Sequence, residues 1–405
     1  MSLKSKKLSS LFSGTTVLIL VAVYCVIVLM QNLPGADIQR LSLPASLSTG
    51  SLKPLAWPTT GESAIGVVGY GLIQTSGKQT LTPTASIAKL VTSLLILKKY
   101  PLSLNQSGPT ITITQTDVND YNNFVAEQGS VVKVTLGEQL SEYQALQAML
   151  LPSANNMADT LAVWGYGSTA AYVTAANGYV KSLGLGTTSI ADPSGFSPST
   201  VSTAANLIKL GILTLDNPVL AQIVDQSSAN LPIAGIVKNV NFYLGDYGII
   251  GIKTGNTDQA GGCYLAAAKY LLSGDQSITV LAAVMAAPTL QAALNETVPL
   301  LQSVRNQIVT KVIPAGLAVE KYVTAWGQTS TIATTSAITA DYLPGMSVYY
   351  SLHNNKVIFP LKSHSIAGNA TFEIGIVNNF PGLTNVTAIS KPSIIWRLTH
   401  PEKLF

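Results

Sequence analysis

Ala85-Ser86-Ile87-Ala88-Lys89-Leu90-Val91-Thr92-Ser93-Leu94-Leu95-Ile96-Leu97-Lys98-Lys99-Tyr100 is the stretch on which the reading of this chain turns. Apolar residues at 87, 90, 91, 94, 95 and 97 recur at near-helical spacing, and two lysines close the run where the helix dipole favours cations. The pattern predicts a mostly buried helix over 85–100. Residues three apart on a helix share a face, so Ser86 and Lys89 can cooperate. A serine hydroxyl is a poor nucleophile until a base takes its proton. A lysine serves as that base when burial and nearby cations populate its neutral amine. Ser86 is the candidate nucleophile and Lys89 its general base.

Ser-x-x-Lys occurs twice in the chain and Ser-x-Asn three times, so context has to choose among them. Ser130-Val131-Val132-Lys133 lies in an alternating run over 130–135 that reads as a strand, where residues three apart point to opposite faces. Ser103-Leu104-Asn105 follows too closely on the Ser86 helix, and Ser228-Ala229-Asn230 lacks flanking helices. Ser153-Ala154-Asn155 has them: 136–151 and 155–164 read as helices broken at Pro152-Ser153, which puts Ser153 on a loop. Lys253-Thr254-Gly255 ends a strand predicted over 249–254.

Each triplet suits one task. Ser153 can relay a proton towards a leaving nitrogen and Asn155 can hold a substrate amide. Lys253 supplies a fixed charge for a terminal carboxylate while depressing the pKa of a neighbouring lysine. Thr254 can add a hydroxyl contact. Gly255 lets an extended substrate lie along the strand edge, and the backbone N–H groups of Ser86 and Asn256 are the expected oxyanion hole.

Further out, 64–72 and 78–81 suggest a hairpin, 110–116 a strand, 171–183 and 203–215 helices, 262–268 and 278–286 strands, and 289–312 a last helix. Helices interrupt the strand set rather than alternate with it. From 316 the composition turns to Thr, Val and Tyr in period-two runs, with His353-Asn354-Asn355-Lys356 as a hairpin turn. Between 31 and 60 the chain is rich in Pro, Ser, Leu and Gly without helical period, as in Leu43-Pro44-Ala45-Ser46, and reads as a spacer.

At the N-terminus Lys4, Lys6 and Lys7 precede a stretch free of charge until Asp37, with an apolar run from Leu11 to Met30 about long enough to span a bilayer. The flanking lysines put the N-terminus in the cytoplasm and the rest outside. A cleaved signal peptide is the competing reading, against which stand the length of the run and the lack of a small-x-small site. The expected organisation is a cytoplasmic 1–10, a transmembrane 11–31, an extracytoplasmic linker 32–60, a catalytic domain 61–315 and a β-rich domain 316–405.

In a chain of 405 residues, 47% are hydrophobic and 10% charged, which excludes a disordered protein. The net charge of +4 is spread rather than gathered, so nothing points to nucleic acid. Cys25 and Cys263 are too far apart in context to make a disulfide framework. His353, His364 and His400 lack metal-ligand spacing, and no metal or other cofactor is expected.

The ordered set Ser86-x-x-Lys89, Ser153-x-Asn155, Lys253-Thr254-Gly255 resembles that of penicillin-binding proteins and class A β-lactamases. With Ala85 to Lys89, Leu151 to Asn155, Asp192-Pro193-Ser194-Gly195-Phe196, Lys253 to Thr257 and Ala260-Gly261, the region 63–287 is similar to the serine D-Ala-D-Ala carboxypeptidases, the low-molecular-mass penicillin-binding proteins. The resemblance implies an α/β (α+β) transpeptidase-like fold, with a helical lobe packed on a five-stranded antiparallel sheet and the site between them. It also implies peptidoglycan stem peptides as substrate, covalent inhibition by penicillins and other β-lactams, and a place at the bacterial cell membrane. Here the N-terminal helix would replace the C-terminal amphipathic helix that anchors many relatives. Ala88 stands where the family usually has a hydroxyl residue, and Asn156 where it often has Asp.

Three other readings share the site residues: a D,D-endopeptidase, a β-lactamase and a catalytically idle peptidoglycan-binding module. Class A β-lactamases activate the deacylating water with a glutamate between the second and third motifs. From Tyr143 to Asn295 this chain has no Glu. Asp192 is the nearest substitute and reads as a turn residue.

Overall fold

A computed structural model describes residues 3–42, 50–272 and 276–405, with side chains from 14 onward. The chain forms two compact units, Gly50–Val309 with Leu343–Met346, and Met1–Thr49 with Thr310–Tyr342 and Ser347–Phe405.

The first unit is built on a five-stranded antiparallel sheet in the order Ile249–Thr257, Gly261–Leu271, Ser277–Ala287, Glu62–Val67, Gly71–Ser76. Its middle strands read Cys263-Tyr264-Leu265-Ala266-Ala267-Ala268 and Val280-Leu281-Ala282-Ala283-Val284, buried at every position. Such unbroken apolar runs belong to strands covered on both faces. Cys263, Leu265, Ala267, Leu281 and Ala283 join the core of the helical lobe, where helix Ala204–Asp216 packs. Successive residues of a strand point to opposite faces, so Tyr264, Ala266, Val280 and Ala282 are buried on the other side, the side left to helix Leu290–Arg305.

The lobe centres on helix Lys89–Lys99, whose residues from Lys89 to Leu97 are all buried. Helices Gln115–Ala126, Glu142–Leu150, Asn155–Tyr166, Thr169–Ser182, Ala204–Asp216 and Pro218–Val224 complete it.

Several elements depart from the sequence expectation. The strand expected over 110–116 stops at Thr112, because Thr114 and Asp117 form a capping box that starts helix Gln115–Ala126. The run 130–135 forms no strand pairing. Its Val132 and Val134 are buried instead, and both backbone polar groups of Val132 bond the Asn156 side chain. The helix expected from Leu136 begins only at Glu142, where Ser141 and Gln144 make a second capping box after strand Gln139–Ser141. The last helix ends at Arg305 and is followed by strand Val309–Ile313.

The second unit is a β-rich domain. One sheet path runs Asp37–Arg40, Ala318–Val323, Thr329–Thr334, Gly382–Asn385, Ile366–Ile374, Val348–Asn354. Part of the stretch read as spacer is therefore an edge strand, with Arg40 Nε 4.0 Å from the buried Glu320 carboxylate. Leu43-Pro44-Ala45-Ser46 lies outside the described residues. The expected hairpin turn at 353–356 is corrected too. His353 and Asn354 lie inside a strand and pair with Asn369 and Gly368, so the connection is longer and falls after them.

Helix Leu3–Met30 belongs to this unit. Near its C-terminal end the Val28 and Gln31 carbonyls accept from Arg397 Nη2 at 3.1 and 2.5 Å, and Tyr24 Oη donates to the Leu398 carbonyl at 2.8 Å. A guanidinium there satisfies carbonyls that have no partner within the helix. Among the described residues no single helix is both long and apolar enough to cross a membrane, the apolar stretch being Gly14–Met30.

Candidate active site

Three segments meet around Ser86. The first is the start of the central helix, where Ala85–Ala88 form a 3-10 turn before the α-helix begins at Lys89. In a 3-10 turn side chains three apart eclipse, which brings Ser86 and Lys89 together more directly than the α-helix expected from the sequence. Lys89 Nζ lies 2.8 Å from Ser86 Oγ. Ala85 takes φ +45°, and glycines press on the turn from two sides. A Cβ on Gly195 would come within 1.9 Å of the Ala85 carbonyl oxygen. One on Gly255 would sit 3.0 Å from Thr84 O and 3.1 Å from Ser86 N.

The second segment is the break between helices Glu142–Leu150 and Asn155–Tyr166. Ser153 takes φ +66° there, and its Oγ accepts from Lys253 Nζ at 2.9 Å. Asn155 opens the following helix. Its Oδ1 accepts from Lys89 Nζ at 2.8 Å while its backbone N–H donates to Ser130 O at 2.7 Å.

The third is the edge strand Ile249–Thr257. Lys253 and Thr254 are buried, and Lys253 Nζ also donates to the Thr254 carbonyl at 3.1 Å. Asn256 is exposed and lines, with Ser86 and Asn155, a cleft of about 460 Å³. The space left by Gly255 faces the turn that carries Ser86. Its glycine is thus explained by the close approach of strand to turn, where the sequence had suggested room for a substrate.

Sequence reasoning missed one polar partner. The Ser194 carbonyl accepts from Lys89 Nζ at 3.0 Å. Asp192 shapes the loop that presents it, accepting from Ser194 Oγ at 2.7 Å, Phe196 N at 2.9 Å and Thr200 Oγ1 at 2.5 Å. This agrees with Asp192 as a turn residue. Its carboxylate is consumed by loop contacts. The signal was present in Asp192-Pro193-Ser194-Gly195, but a turn motif does not tell which carbonyl will face a lysine.

Burial holds the Lys89 amine well below its ordinary pKa, and the Lys253 charge lowers it further, partly opposed by Asp192 and Asp159. Burial alone pushes Lys253 down to about 7. A neutral Lys89 amine fits its surroundings: two N–H groups donate to the carbonyl oxygens of Asn155 and Ser194, and the lone pair remains for the Ser86 hydroxyl proton. The arrangement can therefore deprotonate Ser86 and hold a second cation beside a second hydroxyl.

The family model described as D-alanyl-D-alanine carboxypeptidase matches residues 71–289. The D-alanyl-D-alanine endopeptidase of Escherichia coli K12 is 31% identical over 189 residues, 45% of this chain and 57% of that protein. That of Pseudomonas aeruginosa is 30% identical over 192 residues, 45% of this chain and 58% of that protein. The chain thus spans less than two thirds of the length of these curated relatives. Among solved structures, penicillin binding protein 5 from Haemophilus influenzae superposes with a TM-score of 0.58 at 19% identity, covering 84% of this chain and 99% of that one. The fold is the α/β transpeptidase-like one, a curled sheet with a helical lobe.

Proposed function

We propose that this chain, which belongs to the D-alanyl-D-alanine carboxypeptidase family, is a membrane-anchored serine carboxypeptidase that removes the terminal D-Ala of peptidoglycan stem peptides. The observation that carries the reading is the three-way contact of Lys89 Nζ with Ser86 Oγ, Asn155 Oδ1 and Ser194 O, beside the Ser153–Lys253 pair.

In this mechanism Lys89 takes the Ser86 proton as Oγ attacks the penultimate D-Ala carbonyl. The oxyanion is held by the backbone N–H groups of Ser86 and Asn256. Asn155 holds the substrate amide, and Lys253, with Thr254, receives the terminal carboxylate. The C–N bond breaks as the proton taken by Lys89 is relayed through the Ser153 hydroxyl to the leaving D-Ala nitrogen, and water then resolves the ester, its proton returning to Ser86 Oγ. β-Lactams acylate the same oxygen. Asp192 is occupied by its loop, and no Glu lies between Tyr143 and Asn295, which supports slow release of a β-lactam rather than β-lactamase turnover. The chemistry is assigned to the region 61–315. Residues 11–31 anchor it in the bacterial membrane with 1–10 cytoplasmic, 32–60 lead outward, and 316–405 serve as spacer or partner-binding module.

Incubating the whole chain and its Ser86→Ala variant with a reporter penicillin tests this. Stoichiometric labelling that needs Ser86 and decays slowly is expected. Rapid steady turnover would indicate a β-lactamase, and absence of labelling an idle module. A second reading, D,D-endopeptidase, is favoured by the names of the two relatives at 31% and 30% identity. Release of D-Ala from a pentapeptide compared with cleavage of a crosslinked dimer separates the two.

A further inference from the structure

Lys89 is not the last residue of its helix to meet the loop that carries Ser194. Thr92 lies three residues on, on the same helix face, and is fully buried. A threonine inside a helix commonly returns its hydroxyl proton to a carbonyl one turn back. Thr174, Thr214 and Thr297 do so here, donating to the carbonyls of Ala170, Leu210 and Ala293. Thr92 instead donates from Oγ1 to the Pro193 carbonyl at 2.7 Å, across 101 positions of sequence. That uses the one proton of the hydroxyl, so in the 2.7 Å contact between Thr92 Oγ1 and Tyr172 Oη the phenol is the donor. Tyr172 comes from a third element, helix Thr169–Ser182, and is fully buried, which raises its pKa so that it keeps its proton. The hydrogen bonds therefore run one way, from Tyr172 through Thr92 to the Pro193 carbonyl. The next carbonyl along the chain, Ser194 O, is the one that accepts from Lys89 Nζ at 3.0 Å. Two side chains of one helix face thus grip consecutive carbonyls of the loop.

We propose that Thr92 and Tyr172 are positioning residues for acyl transfer: they fix the Pro193 carbonyl and so hold its neighbour, Ser194 O, on the amine that takes the Ser86 proton. They act through Lys89 rather than on Ser86. Without that grip the neutral amine keeps only Asn155 Oδ1 as acceptor, and its lone pair is no longer aimed at the Ser86 hydroxyl. A carbonyl that accepts from an amine also favours its charged form, so loss of Ser194 O lowers the Lys89 pKa. The charged groups that bear on Lys89 are Lys253 on the strand, Asp192 in the loop and Asp159 on helix Asn155–Tyr166, and all three are retained in the variants below. This inference rests on the serine acyl-transfer reading above.

The test is stopped-flow acylation of the whole chain by a reporter penicillin across the acid and neutral pH range, with thermal midpoints to record folding. Thr92→Val keeps the side-chain shape and removes the hydroxyl. Its maximal rate is expected to fall about thirtyfold, and the acid-side limb of its pH profile to move about one unit towards acid. Thr92→Ser, which keeps the hydroxyl, should bring both back near the native values. Tyr172→Phe leaves Thr92 its own proton and should cost about threefold. Thr92→Val/Tyr172→Phe should acylate no more slowly than Thr92→Val, because the line of hydrogen bonds is already broken. A native rate in Thr92→Val overturns the inference. So does a slower rate with the limb unmoved or displaced towards alkali, which marks the network as a support of the fold alone. Should Thr92→Val fail to fold, Tyr172→Phe decides: a limb displaced towards acid supports the inference and an unmoved one overturns it. A native chain that penicillin does not acylate overturns the activity reading and this inference with it, whereas an acylated native chain matched by its variants overturns the inference alone.

Discussion

Lys253 Nζ donates to Ser153 Oγ at 2.9 Å, a contact between residues 100 positions apart that ties the edge of the sheet to the helical lobe. Both side chains are buried, so each is the other's substitute for water. Ser153→Ala and Lys253→Ala are each expected to slow acylation by a reporter penicillin about a hundredfold or more. The double variant should lose far less than the product of the two. Additive losses in stopped-flow acylation would show that the pair does not act as a unit.

Acylation should follow a bell-shaped pH profile. In the proposed mechanism Lys89 must be neutral to accept the Ser86 proton, and burial, by lowering its pKa, moves the rising limb towards acid. Lys253 must be charged to receive a carboxylate, so the rate falls as pH rises through about 7. Lys253→Arg keeps its charge at every accessible pH and should move the falling limb upward. A profile that rises steadily from pH 5 to 9 in the native chain would remove Lys253 from this role.

Glu142 is a buried carboxyl at the first turn of its helix, and neither of its oxygens has a hydrogen-bond partner among the described residues. Burial raises its pKa to about 7 from an ordinary 4.5. Between those values the native state keeps a proton that the unfolded state has lost, so stability falls as pH rises across that window and stays lower above it. Glu142→Gln should therefore be near neutral at pH 4 and stabilise by about 2 kcal/mol at pH 8. Urea midpoints at the two pH values measure the difference.

Asn156 is fully buried and serves Val132 as a neighbouring strand would, its Oδ1 accepting from the backbone N–H at 3.1 Å and its Nδ2 donating to the carbonyl at 3.0 Å. Asn156→Asp preserves the first bond and sets a carboxylate oxygen against the Val132 carbonyl. A loss of about 2 kcal/mol in thermal or urea unfolding is expected. It should come with slower acylation, since the segment from Gly129 to Ser130 lines the cleft.

The two glycines packed on the Ser86 turn should differ in severity. Gly195 has φ +75° and no room for a Cβ against the Ala85 carbonyl, so Gly195→Ala must displace the turn and should abolish acylation. At Gly255 the contacts of 3.0–3.1 Å ask for a shift of a few tenths of an ångström, and Gly255→Ala should retain measurable acylation, down about tenfold. Equal rates in the two variants would contradict this ordering.

Much of the site was legible because each residue type announces its local structure. Ser86 and Lys89 lie on an apolar helical period, Ser153 follows Pro152 at a helix break, and Lys253 ends an apolar strand. The 3-10 form of Ala85–Ala88 was not legible, because the packing of Gly195 and Gly255 against it is a tertiary fact. The alternation of 130–135 was real, with Val132 and Val134 buried, but its hydrogen bonds go to a side chain and a helix start instead of a strand. Periodicity reports burial and does not name the partner. Helix Gln115–Ala126 is mostly polar, with only a thin stripe of Val118 and Tyr121 packed on the core, so its clearest signal was the capping box at Thr114 and Asp117. The strand Asp37–Arg40 is short and exposed, and nothing in its composition separates it from a spacer.

That edge strand makes the second unit a host and the first its guest. Residues before 50 and after 309 build one sheet together, so the stretch 50–309 enters the host fold as an insertion between two parts of it, with only Leu343–Met346 returning to the guest. A form cut after residue 30 keeps Asp37–Arg40 as the short, exposed edge of that sheet. One cut at residue 50, where the guest begins, would strip that strand and leave Ala318–Val323 with open backbone N–H and C=O groups, a template for pairing with another copy. Where the chain is trimmed thus governs which strand forms the host's edge, the short Asp37–Arg40 or the longer Ala318–Val323, at a place remote in sequence from Ser86 and Lys253.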